Sequence, residues 1–376
     1  MPNSTEASAD PPSSGLLRVI DAEANRATEG LRVVEDYVRF ILCDGHLTEL
    51  AKQLRHELTA ALKPFSAADR LAARQSDDDV GAMLAAPPGS ARGEPADVAA
   101  ASFKRIQQAL RSLEEYSKID NAPLAALLEH LRFRVYTLER AVGITADSLA
   151  RLADARLYVL VDGRHSEAEF AERAKSLVSA GVHIVQLRDK RLSDRQLLSR
   201  ARRLREITRE TKTLFIMNDR PDLAVLSRAD GVHVGQDELT VGDARAIIGP
   251  KALIGVSTHS IEQARQAVLD GANYIGVGPT FPSATKQFYA FTGLDLIRQV
   301  AAEIALPAFA IGGIAHENLP QVQSAGINRI AVTAAVTEAA DPAAAAAELI
   351  SILCSKTAGR GRNDSGERQN SVLGTP

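Results

Sequence analysis

Three short segments of the 376-residue chain combine cations, amides and carboxylates at spacings that suit the handling of a phosphorylated ligand. Gln186-Leu187-Arg188-Asp189-Lys190 follows an apolar run, and period-two alternation puts Gln186, Arg188 and Lys190 on one side of the chain. A hydrogen-bonding amide and two cations can therefore meet one anion. The bland alternative is a charged strand end in solvent. Asn218-Asp219 ends a second apolar run and Gly235-Gln236-Asp237-Glu238 follows a third. Carboxylates at such ends suit Mg²⁺, a hard cation that shares its oxygen ligands with substrate phosphates. Helix capping by Asp219 ahead of Arg220-Pro221 is the competing reading.

Further along, Gly255-Val256-Ser257-Thr258-His259-Ser260 offers hydroxyls, either for a ligand or for capping the next helix. Gly278-Pro279-Thr280-Phe281-Pro282-Ser283-Ala284-Thr285-Lys286 offers hydroxyls and an ammonium to a phosphate or diphosphate, on a segment long enough to act as a lid. Ile311-Gly312-Gly313-Ile314 and Val332-Thr333-Ala334-Ala335 bring glycines and backbone N–H groups of the kind that approach a phosphate closely. His259 has no serine or carboxylate partner in sequence that would make a triad.

The elements that carry these groups have a clear texture. Short β-branched runs begin at Leu157, His183, Thr213, Gly231, Leu253, Tyr274, Ala308 and Arg329, each followed by a helix-like stretch such as Ala168 to Ala180 or Asp194 to Glu210. Eight such units in about 200 residues predict a (β/α)₈ TIM barrel with its active site at the C-terminal ends of the strands; a doubly wound sheet is the structural runner-up. Before it, from Leu16 to about Leu149, apolar residues step by three or four in four amphipathic stretches, the first reaching Ile41, which predicts an all-α bundle. Pro64 to Asp97 is broken by Pro87, Pro88, Gly89, Gly93 and Pro95 and reads as a long loop carrying Asp77-Asp78-Asp79. The expected organisation is an unstructured residues 1–15, a helical bundle over 16–150, the barrel over 151–357 and an unstructured tail over 358–376.

Composition narrows the classes. With 44 Lys+Arg against 47 Asp+Glu the net charge is -3, so no global basic field points to nucleic acid. No 18-residue apolar run and no basic, apolar leader is present, which predicts a cytoplasmic protein without a membrane span. Two cysteines, Cys43 and Cys354, far apart and without a close metal-ligand partner, fit a reducing compartment. Homo-oligomerisation is compatible with all of this.

Taken in order, Gln186 to Lys190, Asn218-Asp219, Gly231-Val232-His233-Val234-Gly235-Gln236, Gly255 to His259, Gly278 to Pro282 with Thr285-Lys286, and Ile311 to Ile314 resemble thiamine-phosphate synthase. The resemblance spans most of Ala155 to about Ala340. It implies condensation of hydroxymethylpyrimidine diphosphate with a methylthiazole phosphate, or its carboxylated form, to thiamine phosphate and diphosphate, with Mg²⁺ and no nicotinamide, flavin or pyridoxal cofactor. It also implies roles. Gln186, Leu187, Arg188, Asp189, Lys190 and Asn218 belong to the pyrimidine diphosphate site, and Asp219 and Glu238 hold Mg²⁺. Ser257 faces the pyrimidine, Lys286 the diphosphate, Ser283, Ala284 and Thr285 the thiazole, and Gly313 with Thr333 the thiazole phosphate. Arg188, Lys190, Ser257 and Lys286 are the catalytic candidates. The family usually has Asp where this chain has Glu238, so Asp237 and Glu238 both remain candidates for the second metal ligand. Gln287 to Thr292 is also more aromatic than the family pattern.

In the helical part, Arg26 to Tyr37 and Phe103 to Arg111 are similar to helical modules found ahead of this synthase in some bacteria. That resemblance implies a hydroxymethylpyrimidine-phosphate kinase, with Arg26, Arg32, Arg105 and Arg111 for phosphates and Asp77 to Asp79 for Mg²⁺; the alternative is a docking or dimerisation bundle. For the barrel the alternatives are a thiazole-phosphate tautomerase and a non-catalytic thiamine-phosphate sensor.

Overall fold

The structure, a computed structural model, describes residues 14–74, 92–282 and 292–355. The acidic run Asp77-Asp78-Asp79, the segment Ser283 to Phe291 and both chain ends lie outside the described residues. The chain divides into two compact units. One comprises Met1–Arg151, Arg265–Gly271 and Ala302–Leu306; the other comprises Leu152–Ala264, Ala272–Ala301 and Pro307–Pro376.

The first unit is helical: α1 (Ser14–Asp36), α2 (Gly45–Ala61), α3 (Ala67–Ala72), α4 (Pro95–Ser117) and α5 (Ala122–Arg151). Local signals set their starts. Asp44 accepts from Leu47 N at 2.7 Å to cap α2. Glu94 and Asp97 form a reciprocal capping box around Pro95 at the head of α4. The stripes Ile20, Ala24, Ala27, Leu31, Val34 and Phe103, Ile106, Leu110, Leu113 are buried, as their spacing requires. Two details differ from the sequence expectation. Tyr37–Ile41 is a π turn rather than the end of an α-helix, closed by Leu42 N to Tyr37 O at 3.1 Å, and it leads into Cys43 at φ 55 before α2 begins. The stretch expected to be loop holds the short α3, capped by Ser66.

The second unit is a closed barrel of eight parallel strands in sequence order: β1 (Leu157–Val161), β2 (Ile184–Leu187), β3 (Leu214–Asn218), β4 (Gly231–Val234), β5 (Leu253–Thr258), β6 (Tyr274–Val277), β7 (Ala308–Ile311) and β8 (Ile330–Val332). β1 closes on β8 through Leu157 opposite Ile330 and Val159 opposite Val332. The helices between strands are α6 (Glu167–Ser179), α7 (Asp194–Thr208), α8 (Pro221–Ser227), α9 (Val241–Ile248), α10 (Ile261–Asp270), α11 (Gly293–Glu303) and α12 (Leu319–Ser324), and α13 (Ala334–Thr337) and α14 (Pro342–Ser355) follow β8.

Alternation decides what fills the barrel. Tyr158, Ile184, Ile216, Leu253, Tyr274, Phe309 and Ala331 form one buried cluster. Tyr158, Tyr274 and Phe309 supply most of its bulk, with ring centroids 5.4–5.9 Å apart and Phe309 edge-on to both tyrosines. Room for three large rings comes from small residues on neighbouring strands. A Cβ added at Gly255 would lie 2.1 Å from Tyr274 Cζ and 2.5 Å from His233 Nδ1. The close-packed interior has no slack to accept it. Gly255→Ala should therefore cost about 1–3 kcal/mol in stability by urea denaturation; an unchanged midpoint would contradict this packing account.

Candidate functional site

At the C-terminal ends of the strands the barrel opens into a cavity of about 480 Å³. Its floor is the aromatic cluster and its walls are the polar residues one step further along each strand. Because Tyr158 and Leu160, Ile184 and Gln186, Ile216 and Asn218, and Gly255 and Ser257 are two residues apart, each strand presents its last inward side chain to this cavity. Gln186, Arg188, Lys190, Asn218, Asp219, Glu238, Ser257, Gly313 and Thr333 all line it. Residues expected from six separate segments thus meet in one space.

Leu187 and Asp189 are not among the residues that line the cavity: the same alternation puts their side chains on the other face of the segment. Leu187 is fully buried in the barrel wall. Asp189 accepts from Gly163 N at 3.1 Å and from Arg191 N at 2.8 Å, and pairs with the Arg191 guanidinium at 3.1 Å. Burial alone would raise its pKa, but these donors outweigh burial and hold the carboxyl below the usual range. Asp189 ties the loop after β1 to the loop after β2, which positions its neighbours Arg188 and Lys190. Ser283, Ala284, Thr285 and Lys286 lie outside the described residues.

The rim is charged. Lys190 Nζ lies 3.4 Å from Asp219 Oδ2 and 3.7 Å from Glu238 Oε1. Two carboxylates from the ends of β3 and β4 therefore converge around one cationic atom, and Asp237 lines the same cavity. Asp219 reaches this position through a left-handed backbone, φ 58, with its N–H on His233 O at 2.8 Å. Among the described residues no group of three or more His, Cys, Asp or Glu side chains is gathered for a metal. Two oxygen donors, with the remaining positions left to substrate phosphate and water, match the coordination habit of Mg²⁺ and would not make a site for zinc. Arg188 makes no ion pair with a carboxylate among the described residues and is exposed at the cavity, so its guanidinium is available to an anion.

The loops after β7 and β8 are built for close approach. Gly312 and Gly313 have φ 99 and 62, and a Cβ on Gly313 would lie 2.4 Å from Pro282 O. With Thr333, Ala334 and Ala335 they line the cavity at the place where barrels commonly seat a phosphate.

Three lining residues escaped the reading of the sequence: Tyr158, Tyr274 and His233. Gln186 Nε2 donates to Tyr158 Oη at 2.7 Å, and the two tyrosine hydroxyls lie 3.1 Å apart. Burial pushes both phenols above their usual pKa, so they stay neutral. His233 Nε2 lies 2.9 Å from Ser257 Oγ, and its Nδ1, buried against Gly255, has no hydrogen-bond partner. An orphaned N–H costs more than an orphaned lone pair, which puts the proton on Nε2, donated to Ser257. The Ser257 hydroxyl then keeps its own proton to donate into the cavity. Its mate in the same layer, Gln186, commits its amide N–H₂ to Tyr158 and keeps its carbonyl as an acceptor. The cavity thus offers one donor and one acceptor on a neutral, apolar floor. The available signal was period-two alternation, which turns Tyr158, His233 and Tyr274 inward along with Gln186 and Ser257.

A family model described as thiamine monophosphate synthase matches residues 157–336. A second, described as the ThiD2 family, matches residues 18–141. The thiamine-phosphate synthase of Rhodopirellula baltica is 44% identical over 331 residues, covering 85% of this chain and 88% of that protein. That of Gloeobacter violaceus is 44% identical over 327 residues, covering 87% and 94%. The solved thiamine phosphate pyrophosphorylase from Pyrococcus furiosus is 34% identical, covering 54% of this chain and 97% of its own, with a TM-score of 0.48.

Burial, and secondarily the charge of Arg188, lower the His233 imidazole from its ordinary 6.5 to about 4. Between those values the unfolded chain binds a proton that the folded chain refuses. The resulting stability is complete above about 6.5 and is lost progressively as pH falls to about 4, levelling off below. Urea melts of His233→Gln should show a shallower loss across this window than the parent; parallel curves would contradict the assignment.

Proposed function

The chain belongs to the thiamine-phosphate synthase family, and from that premise we propose how its residues share the work. The enzyme is a transferase that condenses the pyrimidine and thiazole moieties into thiamine phosphate. Over a tautomerase or a binding-only sensor, this reading is supported by a rim that combines Arg188 and Lys190 with the acids Asp219 and Glu238, a set with a purpose only where a diphosphate is held.

The pyrimidine lies on the aromatic floor, where the Gln186 carbonyl accepts from its exocyclic amine and the Ser257 hydroxyl donates to a ring nitrogen. Its diphosphate points to the rim, to Arg188, Lys190, Asn218 and Lys286. Asp219 with Glu238, or with Asp237 beside it, holds Mg²⁺. A Mg²⁺ ion held there would supply positive charge to the diphosphate. Gly313 and Thr333 take the thiazole phosphate, and Ser283 to Thr285 the thiazole ring, whether carboxylated or not. The C–O bond to diphosphate breaks with its electron pair leaving on oxygen, and the electron-rich aminopyrimidine delocalises the cation left behind. The thiazole nitrogen then forms the C–N bond with its lone pair, and a carboxylated thiazole also releases its carboxyl as CO₂. No general base is needed, because the thiazole nitrogen attacks with its own lone pair and loses no proton. Catalysis is electrostatic stabilisation of the leaving group together with alignment of the thiazole. The two cysteines take part in no disulfide among the described residues, and no described helix is long and apolar enough to cross a membrane, which supports a cytoplasmic setting.

The observation that carries this reading is the convergence of Asp219 and Glu238 on Lys190, at 3.4 and 3.7 Å, beside an Arg188 that makes no ion pair among the described residues. Arg188→Ala and Lys286→Ala should each lower kcat by about 10²–10³-fold, the loss expected for removing one charge-stabilising donor. Melting temperature and KM for the thiazole phosphate should hardly move. A variant that keeps the parent rate removes that residue from the mechanism.

A further inference from the structure

Where β6 runs out into its loop, the carbonyl of Gly278 is held from the neighbouring strand end by a side chain that the proposed chemistry leaves unassigned. His259 Nδ1 lies 2.5 Å from Gly278 O. A carbonyl oxygen only accepts, so Nδ1 carries the proton and donates it. His259 is itself fixed from behind. Its N–H donates to Gln263 Oε1 at 2.7 Å, and Gln263 N donates to Ser260 Oγ at 3.2 Å, so the head of α10 sets where the imidazole stands. The ring lines the barrel cavity, and its Nε2 makes no hydrogen bond among the described residues.

The held carbonyl begins a bridge from β5 to β7. Gly278 N donates to Thr258 O at 3.2 Å, so both backbone polar groups of Gly278 are tied to the end of β5. Further along, the same segment is tied to β7 and its loop. Thr280 N and Oγ1 donate to Ile311 O at 2.9 and 3.0 Å, and Phe281 N donates to Gly312 O at 2.9 Å. The segment lies against the paired glycines without clearance. A Cβ on Gly278 would lie 2.1 Å from Ile311 O, one on Gly312 2.9 Å from Pro279 Cα, and one on Gly313 2.4 Å from Pro282 O. Planar peptides packed this closely cannot absorb a shift of Gly278 O, which passes instead to Gly312 and Gly313.

We propose that His259 is a positioning residue for the second substrate: its Nδ1–H holds Gly278 O, and with it the segment 278–282 that backs Gly312 and Gly313, so that the thiazole phosphate seats with its ring nitrogen aligned on the pyrimidine. The inference rests on the reading that Gly313 and Thr333 take that phosphate. His259 moves no proton and touches no reacting atom. It acts through the backbone it holds, and what it governs is the alignment of the nucleophile. Ser257, two residues earlier on the same strand, serves the pyrimidine in the proposed arrangement. The end of β5 thus supports both halves of the reaction, one with a hydroxyl in the cavity and the other with a hydrogen bond in its wall.

Steady-state rates of thiamine phosphate formation by the full chain, with each substrate varied in turn against a saturating level of the other, test this role. For His259→Ala, kcat/KM for the thiazole phosphate should fall roughly 10–100-fold, on the order of what a misplacement of about 1 Å costs. KM for the pyrimidine diphosphate should stay within about twofold of the parent, which also shows the barrel intact. His259→Asn, whose amide nitrogen stands as many bonds from Cα as Nδ1 does, should restore most of the loss. His259→Gln, whose amide nitrogen matches Nε2 instead, should not. Parent kinetics in His259→Ala, a loss that falls on the pyrimidine diphosphate, or rescue by Gln and not by Asn would overturn the assignment; the last would mean that the ring meets a substrate directly through Nε2. Thr333→Val removes a hydroxyl from the phosphate site itself and should raise KM for the thiazole phosphate whatever stands at position 259. An unchanged KM there means that the phosphate site is misassigned, and the inference falls with it; a raised KM there with parent kinetics in His259→Ala means that the positioning role alone fails. Failure of the synthase reading would appear separately, as absence of thiamine phosphate from the parent chain.

Discussion

Closing eight parallel strands into one barrel forces every second side chain into a shared interior, and everything the barrel does follows from how that interior is filled. Three rings, Tyr158, Tyr274 and Phe309, occupy the middle, and Gly255 beside Tyr274 leaves them the space. With the centre plugged, the next inward residue on each strand faces a cavity rather than a core. Gln186, Asn218, Ser257 and Thr333 therefore form a polar layer on an apolar floor, without any loop having to place them.

The same geometry separates charge from neutrality. Inside, His233, Tyr158 and Tyr274 are held uncharged by burial and spend their polar atoms on Ser257, Gln186 and each other. At the rim, Arg188, Lys190, Asp219 and Glu238 stand on strand ends that reach solvent. A substrate with an aromatic heterocycle at one end and a diphosphate at the other is matched to both zones. On the proposed reading the leaving group departs into the charged zone, where its growing charge would be stabilised most.

Much of this was legible in the sequence. All eight strands begin and end within one residue of the apolar runs that announce them, because those runs are rich in β-branched residues and end at the polar groups the site uses. Alternation correctly put Gln186, Arg188 and Lys190 together. It also implied that Leu187 and Asp189 face away, which the contiguous family motif obscured. His233 was missed because a histidine inside Val232 and Val234 reads as a satisfied core residue. Only the register of β4 against β5, which sets His233 beside Gly255 and Ser257 two residues on, reveals its hydrogen bond. The π turn after α1 was illegible for a different reason: the apolar period of Val34, Val38 and Ile41 continues through it, and hydrogen bonds to Tyr37 and Val38 decide the ending. In the helical unit the spacing identified helices but not side-chain pairing: Arg26, Arg32 and Arg111 each meet a glutamate three residues away on the same helix.

The central claim is that Asp219 and its acidic neighbour act with the rim cations on a departing diphosphate. The most direct measurement is the rate of thiamine phosphate formation by the purified full chain, from the pyrimidine diphosphate and the thiazole phosphate, with Mg²⁺ and with a chelator, for the parent and for Asp219→Asn. The account predicts product with Mg²⁺, loss of it with chelator, and a variant that needs much more Mg²⁺ to approach the parent rate. Product formed equally well in the presence of chelator, or an Asp219→Asn enzyme with an unchanged Mg²⁺ requirement, would contradict it.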